Sequence, residues 1–366
     1  MKTNSTFCFV ILLFTFSIHA QTPSQLDRIF APLQTPNSPG LALEVLQHGQ
    51  PILQRTYGVT DLRTLHPITP QTNFRLASFT KQFTATCIEL LVHEGKLHYD
   101  DHLTDIFPNF PAYGKNITVR HLLTHTSGLP DYEDLLTAQY PNTPEEKIPQ
   151  ILDAGVLKLL EQQSSGKFPP GSKWDYSNSG YATLAMIVEK ISGESFGQFL
   201  HDRIFAPLRM NHTLAYEKGK NEVPNRAFGC TEDNNTWRET DQSSTSAVLG
   251  DGGIYSNLDD LAKWDAALRD HTLLTAAEMQ PALTPVQPTG PSDPTARPVQ
   301  YGFGWFLDPY KGHPRMWHYG ETVGFRTGIE RFPKDDLTVI ILSNRSNVDA
   351  QALALKVADL YLKTKP

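Results

Sequence analysis

Two Ser-x-x-Lys segments stand in the sequence, Ser78-Phe79-Thr80-Lys81 and Ser164-Ser165-Gly166-Lys167. A serine hydroxyl and a lysine amine three residues apart share one helix face. There the amine can take the hydroxyl proton and free the oxygen for attack on an acyl carbon. Four residues can match by chance, so the surroundings decide. Ser78 lies where a strand-like run, 73–76, turns into a helix beginning near Thr80. The positive end of such a helix also favours the negative charge that grows during acyl transfer. Ser164 leads instead into Gly166 and then Pro169-Pro170-Gly171, which cannot hold that geometry. Ser78 with Lys81 is the candidate pair.

Acyl transfer also needs a group that relays the proton to the leaving group. Tyr-x-Asn occurs at Tyr140-Pro141-Asn142, Tyr176-Ser177-Asn178 and Tyr255-Ser256-Asn257. Tyr140 neighbours prolines in a surface-type loop, whereas Tyr176 and Asn178 run from a turn into a helical pattern and can project into a cleft. A late strand around Trp317-His318-Tyr319-Gly320-Glu321 can line the same cleft, with Gly320 admitting substrate close to the backbone. His93-Glu94-Gly95 has the same spacing but ends a helix. G-x-S-x-G, H-E-x-x-H, the P-loop and a dinucleotide fingerprint are all absent. His121 and His125 are four apart, but with no intervening Glu and no third ligand they read as structural. Cys87 has no basic neighbour and is not a nucleophile candidate.

The elements that must position these groups follow from periodicity. Runs 41–47 and 50–58 flank His48-Gly49 as a hairpin. Apolar residues at helical spacing, Phe83, Cys87, Leu90 and Leu91, predict a helix over 80–94 stopped by Gly95. From about 100 to 238 the chain reads as helices and loops, clearest at 180–191 and 196–204. A helix over 257–269 opens with Asn257 as cap, and 284–298 is a Pro-rich loop. Runs 301–307, 316–318, 327–332 and 338–343 read as strands, and 350–362 as a closing helix. Strands at both ends with helices between predict an α+β fold: an antiparallel sheet flanked by helices, built from both termini, with an inserted, mostly helical lobe.

Composition excludes other classes. The 366 residues are 39% hydrophobic and 10% aromatic, enough for a core, and the net charge of −7 offers no basic stripe for nucleic acid. Residues 1–20 combine a lysine, an apolar run over 7–18 and a small-residue exit at His19-Ala20, the pattern of a secretory leader that is too short to span a bilayer. A secreted or periplasmic protein without a membrane anchor follows. Cys87 and Cys230 are then the remaining cysteines. They could pair in an oxidising compartment, but Cys87, in its apolar helical pattern, reads as a buried thiol. Asn116, Asn211, Asn234 and Asn344 open Asn-X-Ser/Thr triplets that a eukaryote could glycosylate.

Taken in order, these segments resemble the serine β-lactamase and penicillin-binding-protein superfamily, in the class C-like branch that includes class C β-lactamases, D-Ala-D-Ala carboxypeptidases, D-aminopeptidases and penicillin-binding-protein-like esterases. The resemblance runs from about 41 to 362. Besides the three motifs it rests on Leu76-Ala77-Ser78-Phe79-Thr80-Lys81, on Thr118 through Pro130 with its central His125-Thr126-Ser127-Gly128, on Gly250-Asp251-Gly252-Gly253, and on Leu342-Ser343-Asn344. It implies a β-lactamase/transpeptidase-like fold. The implied domain spans 21–366, with a sheet lobe from about 21–85 and 248–366 and a helical lobe from about 86–247.

It also implies roles. Ser78 is the acylated nucleophile, Lys81 the general base and Tyr176 the proton shuttle. Asn178 holds a substrate amide and Lys81, and His318 replaces the usual lysine. The oxyanion hole is the N–H of Ser78 with that of Glu321, the residue after Gly320. No metal or cofactor is implied. Tyr319 and His318 stand where lactam-hydrolysing members hold the substrate carboxylate, which points toward a D-amino-acid peptide of carboxypeptidase or aminopeptidase type, or a small ester. A class C-like β-lactamase and a catalytically silent binder of wall fragments are the competing readings.

Overall fold

The first two runs form a hairpin, β1 (Leu41–Gln47) and β2 (Gln50–Tyr57). His48 and Gly49 at its tip both take positive φ, 52° and 70°, as a two-residue turn between twisted strands requires. The computed structural model describes residues 22–290 and 300–363. The expected leader at 1–20 and the part of the 284–298 loop beyond residue 290 lie outside the described residues.

β3 (Phe74–Arg75), β4 (Leu214–Ala215), the hairpin β5 (Cys230–Asp233) and β6 (Thr236–Glu239), and β7 (Ile254–Ser256) are short. β8 (Met316–Thr322), β9 (Phe325–Phe332) and β10 (Leu337–Ser343) close the chain. The main sheet is antiparallel with order β2-β1-β10-β9-β8, so the first and last long strands are neighbours, Leu41 opposite Ser343 and Gln47 opposite Leu337. A second sheet has the order β3-β7-β4.

β10 is buried at every position because both faces of the sheet are covered. Leu337, Val339 and Ile341 pack with Leu41, Leu43 and Val45 against the helices Thr22–Phe30 and Ala350–Ala358. Ile340 and Leu342 face the other way, into the larger core shared with the helices Lys81–His93 and Asn178–Ser192. The alternation follows from the two-residue period of a strand. A buried ion pair ties this second face to the Leu258–Asp270 helix: Arg331 Nε donates to Asp265 Oδ1 at 2.6 Å, and Thr338 Oγ1 donates to the same oxygen at 2.7 Å. Each group in it is hydrogen-bonded, which is what makes a buried charge tolerable.

The α+β architecture is as expected, with three local departures. Residues 301–307 do not form a strand. They make isolated bridges, Tyr301 to Phe306 and Phe306 to Trp317, around Gly304 at φ 73°. A Cβ on Gly304 would lie 2.7 Å from the Lys81 carbonyl oxygen, so the segment folds as a tight turn against the catalytic-side helix. The closing helix stops at Ala358 rather than 362. The β5–β6 hairpin interrupts the helical stretch, turning at Asn234 and Asn235, both at positive φ. Cys87 and Cys230 are buried free thiols, and no disulfide joins them. No described helix is long and apolar enough to cross a membrane.

Glu89, in the Lys81–His93 helix, borders a small cavity of about 20 Å³ beside Trp264, Leu274 and Met279, and its Oε1 has no hydrogen-bond partner. Burial pushes its carboxyl up to about 8. Buried Asp153, Glu44 and Glu330 are raised in the same sense. A carboxyl that holds its proton more tightly when folded stabilises at low pH, and that contribution fades as pH rises from about 4.5 through 8. Glu89→Gln, which cannot ionise, should therefore flatten part of an alkaline stability loss on the order of a few kcal/mol. Urea unfolding at pH 5 and pH 9 measures it: the variant should gain on the wild type at pH 9, and equal losses in both proteins would refute the assignment.

Candidate active site

β3 ends at Arg75, and a single 3-10 turn, Ala77–Thr80, carries the chain into the Lys81–His93 helix. Ala77 sits at φ 50°, a left-handed conformation costly for a residue with a Cβ. The turn thus leaves Ser78 half-buried, while Lys81, one turn on, is fully buried.

Three acceptors surround the lysine amine. Nζ donates to Ser78 Oγ at 3.0 Å, to Asn178 Oδ1 at 2.9 Å and to the Asp251 carbonyl oxygen at 2.9 Å. Its charge also lies over the rings of Tyr176 and Tyr181, at 4.9 and 5.4 Å. Burial lowers Lys81 to about 8, against the opposing pull of Asp251 and Glu133. Of the three partners the carbonyl and the amide oxygen can only accept, and the serine hydroxyl alone can donate. When Lys81 loses its proton, its two remaining N–H groups keep the pure acceptors. The lone pair is left to the Ser78 hydroxyl, which is the geometry of a base and its nucleophile.

Tyr176 packs beside the same amine, its ring centroid 4.9 Å from Lys81 Nζ, and burial holds its phenol well above the usual tyrosine range. His125 positions it. The His125 carbonyl accepts from Asp175 N at 2.9 Å and its Nδ1 accepts from Ser177 N at 3.0 Å, gripping the chain on both sides of Tyr176. The imidazole also packs on the tyrosine ring, centroids 4.4 Å apart. Ser177 caps the helix Asn178–Ser192 through Gly180 N, which fixes Asn178 at the first helical position. His121 accepts from Thr118 N in a capping box. Among the described residues no group of His, Cys, Asp and Glu is placed to hold a metal ion.

β8 forms the far wall as an edge strand. Trp317 exchanges backbone hydrogen bonds with Phe306, off the sheet, so its N–H points away from β9. By the two-residue alternation of an antiparallel ladder the Glu321 N–H points off the same edge. Gly320 faces the opposite side, toward the turn before Ser78. A Cβ there would lie 2.0 Å from the Leu76 carbonyl oxygen, to which Thr327 Oγ1 donates at 2.7 Å. His318 is buried: its Nδ1 lies 2.6 Å from the Tyr319 carbonyl oxygen and carries the proton, while Nε2 faces the Tyr301 hydroxyl at 3.2 Å. Burial and the nearby Lys81 charge lower it to about 3, so it is neutral at any working pH. Tyr319 is exposed, stacked with Trp317 and Phe306. Glu321 turns its carboxylate outward to Arg326 at 2.9 Å.

The structure thus gathers Ser78, Lys81, Tyr176, Asn178 and His318, with Gly320 against the turn before Ser78 and Glu321 next along β8. Lys167, of the second Ser-x-x-Lys segment, bonds instead through its backbone N–H to Gly128, and Tyr255 is buried in β7. Three supporting acids escape a sequence reading. Asp153 accepts from Leu249 N and Gly250 N and so fixes the turn that aims the Asp251 carbonyl at Lys81. The Asp251 carboxyl accepts from the Tyr132 hydroxyl at 2.9 Å, and Glu133 Oε1 accepts from Asn178 Nδ2 at 3.0 Å.

A family model described as Beta-lactamase matches residues 26–362. Penicillin-binding protein 4* of Bacillus subtilis is 32% identical over 332 residues, covering 87% of this chain and 71% of the relative. The structure of a penicillin-binding protein from Bacillus halodurans superposes with a TM-score of 0.72 at 26% identity, covering 91% of this chain and 97% of that one. A D-stereospecific amidohydrolase from Streptomyces sp. shares the fold, with a TM-score of 0.75 at 21% identity over 94% and 99% of the two chains.

Gly320→Ala tests the clamp between strand and turn. Its Cβ meets backbone, which cannot swing aside, so β8 must retreat from the turn carrying Ser78. Turnover of an activated ester should fall by ~10²–10³, the usual effect of losing an oxyanion donor. An active Gly320→Ala protein would show that the strand does not need this approach.

Proposed function

The chain belongs to the β-lactamase family, and from that premise we propose that it is an exported serine hydrolase that acylates Ser78. The single observation carrying this reading is the buried Lys81 amine, 3.0 Å from the Ser78 hydroxyl, with two pure acceptors holding its other positions.

Neutral Lys81 takes the Ser78 proton as Oγ bonds to the substrate carbonyl carbon. The charge on the carbonyl oxygen is met by the N–H groups of Ser78 and Glu321. Tyr176, kept as a phenol by burial, gives its proton to the departing nitrogen or oxygen and recovers one from the Lys81 ammonium. Water then attacks the acyl-enzyme as the same groups act in reverse, restoring the Ser78 hydroxyl.

Neutral His318 offers no fixed positive charge to a substrate carboxylate. That favours an amide of a D-amino acid or D-amino-acid peptide, or a small neutral ester, over a penicillin. Among peptides it suits aminopeptidase-type cleavage better than release of a terminal D-alanine. Export rests on residues 1–20 and their leader pattern.

Ser78→Ala should fold normally and lose hydrolysis of p-nitrophenyl acetate and D-alanine p-nitroanilide to the buffer rate; full activity in that variant would end the proposal. In the wild type kcat/KM should rise with pH through a midpoint near 8 as Lys81 deprotonates. Mass spectra after benzylpenicillin separate the substrate classes. A lasting Ser78 adduct identifies a penicillin-binding peptidase, and penicilloate without an adduct identifies a β-lactamase. Neither product leaves the ester or D-amino-acid amide reading.

A further inference from the structure

We propose that Glu133 is a positioning residue of this site: its carboxylate locks the Asn178 amide with Oδ1 toward Lys81 and supplies a negative charge that the buried ammonium faces. An Asn amide can turn over and present nitrogen where oxygen was. With Nδ2 toward Lys81, two donors would confront each other and the amine would lose one of its two pure acceptors. Glu133 Oε1 forbids this by accepting from Nδ2 at 3.0 Å, because an ionised carboxylate can only accept.

The Glu133 side chain is exposed, but the backbone that carries it is well anchored. Asp131 caps the Tyr132–Gln139 helix by accepting from Glu133 N at 2.8 Å. Tyr132 N donates to Ser179 Oγ at 2.9 Å, and that hydroxyl donates to the Pro130 carbonyl at 2.7 Å, stitching this segment to the start of the Asn178 helix. The neighbouring side chain, Tyr132, binds Asp251, whose carbonyl is the other pure acceptor of Lys81. Two consecutive residues thus stand behind both groups that orient the amine.

The groups facing Lys81 are Ser78 on its own turn, Tyr176, Asn178 and Tyr181 around the next helix start, Asp251 on the 249–252 turn, and His125 and His318. Negative charge comes from Asp251 and, behind Asn178, from Glu133, and both oppose the effect of burial on the amine. Desolvation raises both carboxyls, and the Asn178 amide and the Lys81 charge pull Glu133 back down. Asp131 is the other acid beside Glu133.

Lysine labelled with 13C at Cε reports the Lys81 titration directly, the signal being assigned by its loss in Lys81→Met. Glu133→Gln keeps an acceptor for Nδ2 but removes the charge, so the Lys81 midpoint should fall by about one pH unit. Glu133→Ala removes both and should show the same shift. Its plateau kcat on p-nitrophenyl acetate should lie about tenfold below that of Glu133→Gln, the conservative variant restoring the amide's orientation. A thermal melt of each variant separates these effects from unfolding, and if Glu133→Ala does not fold, the Gln titration decides alone. An unmoved midpoint in Glu133→Gln overturns the proposal, as does a plateau in Glu133→Ala equal to that of the Gln variant. The kinetic arm rests on the acyl-enzyme reading, but the titration needs no substrate. A shifted midpoint in a protein inert to every acyl donor would count against that reading and for this one.

Discussion

Everything at this site depends on one buried amine having three neighbours of unequal kind. Placing a lysine wholly inside a protein is costly, and the cost falls on the charged form. Here that cost lowers Lys81 toward neutrality, and two oxygens that cannot donate decide where the resulting lone pair points. The direction of the base is therefore set by elimination, with no need for a strong contact to the serine itself. The arrangement is also self-limiting, since the same oxygens steady the ammonium once it forms.

The fold serves this arrangement by bringing distant segments to one amine. Ser78 and Lys81 come from the turn after β3, Asn178 from a helix start nearly a hundred residues on, and the Asp251 carbonyl from a turn farther still. Each is pinned by its own partner: Gly320 of β8 and Thr327 of β9 hold the nucleophile turn to the sheet, His125 grips the stretch around Tyr176, and Asp153 ties down residues 249–250. The supports are mostly hydrogen bonds to backbone, which fix position to tenths of an ångström whatever the side chains do at the surface. A catalytic constellation held this way tolerates wide divergence elsewhere, in keeping with relatives that share the fold at about one residue in five.

Much of this was legible in the sequence, for identifiable reasons. The sheet strands announce themselves because short apolar runs, Leu41 to Leu43 in β1 and Val339 to Leu342 in β10, are local properties. Ser78 and Lys81 were readable because three residues on a helical turn is a fixed geometry. Tyr176, Asn178 and His318 needed the order of several motifs. Residues 301–307 misled because aromatic, strand-like residues hide the effect of Gly302, which lies against the Ala282 backbone, and Gly304, which lies against that of the Lys81 helix. Glu133, Asp153 and Asp251 act across more than forty residues of sequence, and nothing in their neighbours reveals a partner that far away. The left-handed Ala77 is equally silent, because no turn residue marks it.

The pairing of Leu41 with Ser343 has a consequence for the order in which the molecule can assemble. The centre of the sheet is a seam between strands some three hundred residues apart, so its closure carries the largest loop entropy in the chain. Until the C-terminal strands emerge from the ribosome, the β1–β2 hairpin has an open edge and an apolar face with nothing to cover it. Such a surface is sticky, and it stays so for most of synthesis. A chain built on this topology is well suited to being held unfolded until it is complete, and poorly suited to folding as it is made.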